Sequence, residues 1–104
     1  MGCMGYDLHI TRAENWTESS DSPIGYEEWI AYAEGSESLA AAGTLNLKEE
    51  PTEQTIYQIA RGPNLHWWRG EVVVTGADEG HVDVLRPHAV ALAARLQGDD
   101  GEVY

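Results

Sequence analysis

The carboxylates of Asp99, Asp100 and Glu102 crowd one glycine-bearing stretch, Gln97-Gly98-Asp99-Asp100-Gly101-Glu102-Val103-Tyr104. Oxygen ligands so close together suit a hard divalent cation. They do not follow the alternating acids and closing Glu of a helix-loop-helix calcium loop, and Asp-Gly is the chemistry of a tight hairpin turn. The stretch therefore reads first as a solvated hairpin tip, with Tyr104 closing a last edge strand. Four histidines, His9, His66, His81 and His88, raise the question of a transition metal. No two of them stand four apart on a helix, and the lone Cys3 adds no second thiolate. They read as scattered surface side chains, with His9 and Asp7 on the open face of the first strand.

Covalent catalysis finds no support. There is no Gly-x-Ser-x-Gly elbow, and Cys3 lies in a terminal tail. Gly76-Ala77-Asp78-Glu79-Gly80 places acids where a phosphate cradle needs bare amides and a lysine. Carboxylate-pair hydrolysis is compatible with the composition, but the sequence does not say which two acids converge. No cofactor motif is present.

Tryptophan offers a different kind of chemistry. Leu65-His66-Trp67-Trp68-Arg69-Gly70-Glu71-Val72-Val73-Val74 is the densest apolar and aromatic run, and it predicts a hairpin turning at Arg69-Gly70. Successive strand residues face opposite ways, so Trp67 and Trp68 cannot share one core. If Trp68 lies with Val72 and Val74 on the buried face, Trp67 falls on the other with Arg69, Glu71 and Val73. An uncovered Trp beside charged residues has the composition of an interaction hot spot. Cover from residues 13–22 or 36–51 is the alternative.

Composition limits the partners. Eighteen acidic residues against six basic give a formal net charge of −12. Nucleic acid and anionic membrane surfaces both repel such a chain, since each is bound through Lys and Arg. A basic protein, a metal ion, or simple solubility remain as reasons for the acidity. A single cysteine precludes an internal disulfide and fits a reducing compartment, so the chain reads as cytoplasmic. No apolar run has the length of a membrane span, and residues 1–4 read as a tail.

The elements that must position these residues follow from periodicity. Tyr6-Asp7-Leu8-His9-Ile10-Thr11-Arg12 alternates as a half-buried strand. Gly25 as N-cap, Glu28 three residues on, and Ile24 against Trp29 mark the start of a helix over 26–34, which Gly35 ends. Residues 39–42 read as a helical turn and 44–47 as a strand. Thr55-Ile56-Tyr57-Gln58-Ile59-Ala60 alternates again. A second helix begins near Asp83, with Pro87 tolerable only in its first turn, and Trp16 is the expected anchor of the polar segment 13–22. The chain is thus one α+β domain over 1–104, two helices on one face of a mostly antiparallel four- or five-stranded sheet, with a ferredoxin-like variant possible.

Three stretches, Tyr6 to Arg12, Pro23-Ile24 with Glu28-Trp29, and Gln97 to Tyr104, resemble small bacterial proteins of about this length. The shared motifs are structural, and the likeness implies no activity or site residue. Small acidic α+β proteins include immunity proteins of bacterial toxins, an analogy of class alone. The leading expectation is a non-enzymatic acidic binding protein, immunity- or antitoxin-like, that docks a basic protein through Trp67, Glu71, Asp7, Asp99, Asp100 and Glu102. A homo-oligomeric accessory protein and a small metal-dependent enzyme are the alternatives.

Overall fold

The computed structural model describes residues 6–59, 62–77, 79–99 and 101–104, and only the backbone of Tyr6 and Glu79. Six strands form one antiparallel sheet in the order β2-β3-β4-β5-β1-β6: β1 Tyr6–Thr11, β2 Leu39–Asn46, β3 Glu53–Ile59, β4 Asn64–Trp68, β5 Glu71–Ala77 and β6 Arg95–Gly98. Helix α1 (Tyr26–Glu34) leads from β1 to β2, and α2 (Val82–Ala91) leads from β5 to β6. Both helices pack on one face, over Leu8, Ile10, Leu65, Val72, Val74 and Leu96. The sheet has six strands where four or five were expected. The extra pairing comes from residues 39–46, which form one continuous strand and no helical turn. Alanine's helix preference is weak beside an antiparallel ladder with β3 that runs from Leu39↔Ile59 to Asn46↔Glu53, with one register shift between Ala41 and Gly43.

Helix α1 starts as its capping signal predicts. Gly25 is the N-cap, its carbonyl accepts from Trp29 N at 2.9 Å, and Glu28 Oε1 accepts from Gly25 N at 3.4 Å. Trp29 is fully buried against Tyr57, ring edge to ring face at 5.9 Å. Its indole N–H meets no acceptor among the described residues, which costs the fold about 1–3 kcal/mol. Helix α2 begins at Val82 behind a 3₁₀ turn, with His81 and not Asp83 as N-cap. Pro87 sits in its second turn and not in its first. The carbonyl it leaves unbonded belongs to Asp83, an exposed residue that water can satisfy.

The β4–β5 hairpin turns at Arg69-Gly70 as the sequence predicts, with both residues at positive φ, 49° and 93°. Their pairing settles the tryptophans. A two-residue turn sets Trp68 opposite Glu71 and Trp67 opposite Val72, and directly paired residues share a face. Trp67 therefore lies on the helix side, packed against the core, and Trp68 on the opposite side with Glu71. This inverts the expected assignment.

Strands β3 and β4 pair only at Tyr57↔Leu65 and Gln58↔Asn64. Toward the hairpin they diverge, and the buried side chain of Gln54 replaces the missing ladder. It accepts from Trp67 N and donates to Trp67 O, each at 2.8 Å. Gln54→Leu leaves both groups unpaired, and urea unfolding should show a loss of about 2 kcal/mol. A loss under about 0.5 kcal/mol would mean that water substitutes for the amide.

Candidate functional site

The face of the sheet opposite the helices carries a polar core. It is made from His9, Thr11, Glu71 and Gln97, all at least nine-tenths buried. Their cover is the 3₁₀ segment Trp16–Asp21, whose start Asn15 caps by accepting from Thr17 N. The Trp16 indole lies flat on the His9 ring, centroids 3.9 Å apart and planes 4° from parallel. Its Nε1 donates to Asp99 O at 3.0 Å, and its backbone N–H donates to Gln97 Oε1 at 2.8 Å. Gln97 Nε2 in turn donates to Glu14 O. A hydroxyl chain runs beside this: Ala13 N–H to Thr11 Oγ1, Thr11 to Ser19 Oγ at 2.7 Å, and Ser19 to Trp16 O at 2.6 Å. Each hydroxyl both donates and accepts, so the chain leaves no orphan.

At the centre His9 joins two carboxylates that are far apart in sequence. Nδ1 is 2.6 Å from Glu71 Oε1 and Nε2 is 2.8 Å from Asp99 Oδ1. Bonds to carboxylates from both ring nitrogens require the doubly protonated ring. Burial, the largest single influence, works against that charge. The hydrogen bonds and charges of Glu71 and Asp99 together outweigh it, and the His9 pKa lies above its ordinary value. The imidazolium is thus held edge-on by carboxylates and face-on by an indole, where cation–π attraction adds to the ion pairs. With both nitrogens engaged, His9 has no lone pair for a metal or for accepting a proton. Among the described residues no group of three or more His, Cys, Asp or Glu side chains is arranged to hold a metal ion.

A second feature lies on the helix side, where the N-terminus of α1 meets the loop before β3. A cleft of about 450 Å³ is lined by Gly25, Tyr26, Glu27, Glu28, Glu50, Pro51 and Trp67. Trp67 is fixed there by donating Nε1 to Ile24 O at 2.8 Å, with Tyr26 edge-on to its ring at 5.6 Å. The floor is aromatic and the rim carries three carboxylates.

No family model, curated protein or solved structure matches the chain. What the site does has to come from its geometry.

The residues expected to form one contact surface occupy several places. Trp67 is half-buried in the α1 cleft. Glu71 is inside the polar core, and Asp99 forms its rim with a side chain 46% exposed. Asp7 is half-buried on β1, close enough to His66 for its charge to oppose the lowering of that ring's pKa by burial. Glu102 is exposed, and its carbonyl accepts from Gly98 N at 2.9 Å in the turn of the C-terminal hairpin. Asp100 lies outside the described residues. His9 was expected on an open surface and is buried instead, because residues 13–22 fold back over it with Trp16. Tyr26, Glu27 and Glu50 line the cleft and are not among the residues that the sequence marks for a site. Glu27 carries one sequence signal, the acidic first turn of α1, which dipole compensation alone explains, and Glu50 lies in the distant loop between β2 and β3.

Proposed function

We propose that this chain is a non-enzymatic acidic binding protein that docks a basic protein partner, in the manner of an immunity or antitoxin protein. The observation that carries the reading is the α1 cleft, where two aromatic rings stand under the carboxylates of Glu27, Glu28 and Glu50. Rigid aromatic surface ringed by charge is what concentrates binding energy in a small area, and a net charge of −12 would steer a cationic partner toward it. Three of the five arginines are already engaged by acids of the chain itself: Arg12, Arg69 and Arg86 hold Glu28, Glu49 and Asp83 respectively. We read the β6-β1-β5-β4 core with its two helices as a ferredoxin-like arrangement extended by the β2–β3 hairpin. On that reading the added hairpin brings Glu50 and Pro51 to the cleft.

Co-expression with a basic protein encoded beside this one in its native genome tests the reading. The expected result is a one-to-one complex whose association rate falls at least about tenfold between about 0.05 and about 0.5 M salt. Failure of any such neighbour to bind sinks it. A self-associated dimer that buries the cleft, found by sedimentation, would replace it with the homo-oligomeric alternative.

A further inference from the structure

The two sides of the hairpin present related arrangements, and one of them contains its own cation. On the Trp68 side, the Arg69 guanidinium lies over the indole with Cζ 4.8 Å from the ring centroid. It also holds Glu49 in a two-point contact, Nε to Oε1 at 3.2 Å and Nη2 to Oε2 at 2.5 Å. On the other side stand the next tryptophan, Trp67, and the next glutamate, Glu50, with Glu27 and Tyr26 beside them. None of the residues lining that cleft is basic, and of its three acids Glu28 is engaged by Arg12. Among the described residues no basic side chain engages Glu27 or Glu50.

We propose that the α1 cleft accepts an arginine side chain of the partner protein, its guanidinium against Trp67 and Tyr26 and bonded to Glu27 or Glu50. This rests on the basic-partner reading above and adds which cation is preferred and where it docks. Arginine fits better than lysine on chemical grounds. Its planar, weakly hydrated guanidinium stacks on an aromatic ring while offering a fork of donors to a carboxylate, whereas an ammonium is a compact, strongly hydrated point charge. The cleft is open to solvent, and Pro51 in its lining offers an apolar surface to the methylene stem.

The test uses two short peptides as probes, one of about six arginines and one of about six lysines, titrated at low salt against the full chain. Binding is read from the indole N–H resonances. The expected result is that the arginine peptide binds at least about fivefold tighter and shifts the Trp67 indole resonance more than that of Trp29. The double substitution Glu27→Gln/Glu50→Gln should weaken it by about tenfold, while Glu18→Gln/Glu37→Gln, which removes the same charge elsewhere, should change it by less than about twofold. All four positions are exposed, so neither pair threatens the fold. Equal weakening by both pairs, or equal binding of both peptides, overturns the arginine cleft and leaves the basic-partner reading standing. Binding of neither peptide overturns both.

Discussion

His9→Ala should destabilise the fold by about 3–5 kcal/mol in urea unfolding at neutral pH. The substitution removes the cation bonded to the buried carboxylate of Glu71, and an uncompensated buried charge is among the costliest single defects. It also empties the space beneath Trp16 and so loosens the 3₁₀ cover. Replacing both partners, His9→Leu with Glu71→Leu, should recover most of the loss, because it removes the orphaned charge along with its partner. If the double variant is as unstable as the single one, the defect lies in packing and not in charge.

The same pair gives a pH signature with a definite sign. The folded-state pKa of His9 is raised above the ordinary value of 6.5, so the folded chain holds a proton that the unfolded chain releases first. Stability from this group is fully present below about pH 6.5 and is lost as pH rises through the raised value. His66 and His88 behave oppositely. Burial lowers both of their pKa values, so they destabilise the fold as pH falls below the ordinary histidine range. Both remain in a His9→Gln variant, so the difference between wild type and variant isolates His9. That difference should shrink from about pH 6 toward about pH 9; a difference that grows would mean that the ring is neutral in the folded state.

Why His9 escaped the sequence, while α1 did not, is a matter of range. The start of α1 is written within a few residues, in Ile24, Gly25, Glu28 and Trp29, and the structure follows it. Strand β1 and the Arg69-Gly70 turn are likewise local, as alternation and turn chemistry. The polar core is not local: His9 meets Glu71 and Asp99 only after the sheet sets β5 and β6 on either side of β1. Alternation correctly separates His9 from Leu8 and Ile10, but it does not reveal that residues 13–22 return to cover that face. Strand β2 is the converse case. Leu39-Ala40-Ala41-Ala42 carries a helical preference, and only the partner strand overrules it. The tryptophan faces are inverted relative to the sequence expectation although their signal is local: a two-residue turn at Arg69-Gly70 sets Trp68 against Glu71 and sends Trp67 to the side of Val72.

That turn also carries the second large effect. Gly70→Ala should cost about 3–4 kcal/mol, and Gly76→Ala only about 1 kcal/mol, although both glycines have positive φ, 93° and 80°. The backbone strain on alanine is similar at the two sites. The surroundings differ: a Cβ on Gly76 meets nothing within 4 Å, whereas one on Gly70 would stand 2.7 Å from Ser19 O and 2.9 Å from Pro23 Cβ. These contacts are mostly backbone and ring atoms of the segment that joins the 3₁₀ cover to α1, and they cannot swing aside. Relief by movement would also stretch the bond from Ile24 N to Gly70 O, now 2.8 Å, and Ile24 O is the acceptor that fixes Trp67. Asparagine separates the two terms, because it tolerates a left-handed backbone better than alanine does but still has a Cβ. Gly76→Asn should therefore be nearly neutral by thermal unfolding, while Gly70→Asn stays strongly destabilised and broadens the Trp67 indole resonance. Equal losses at the two glycines would show that strain alone sets the cost, and that the hairpin tip is not wedged against the chain that positions both the polar core and the cleft.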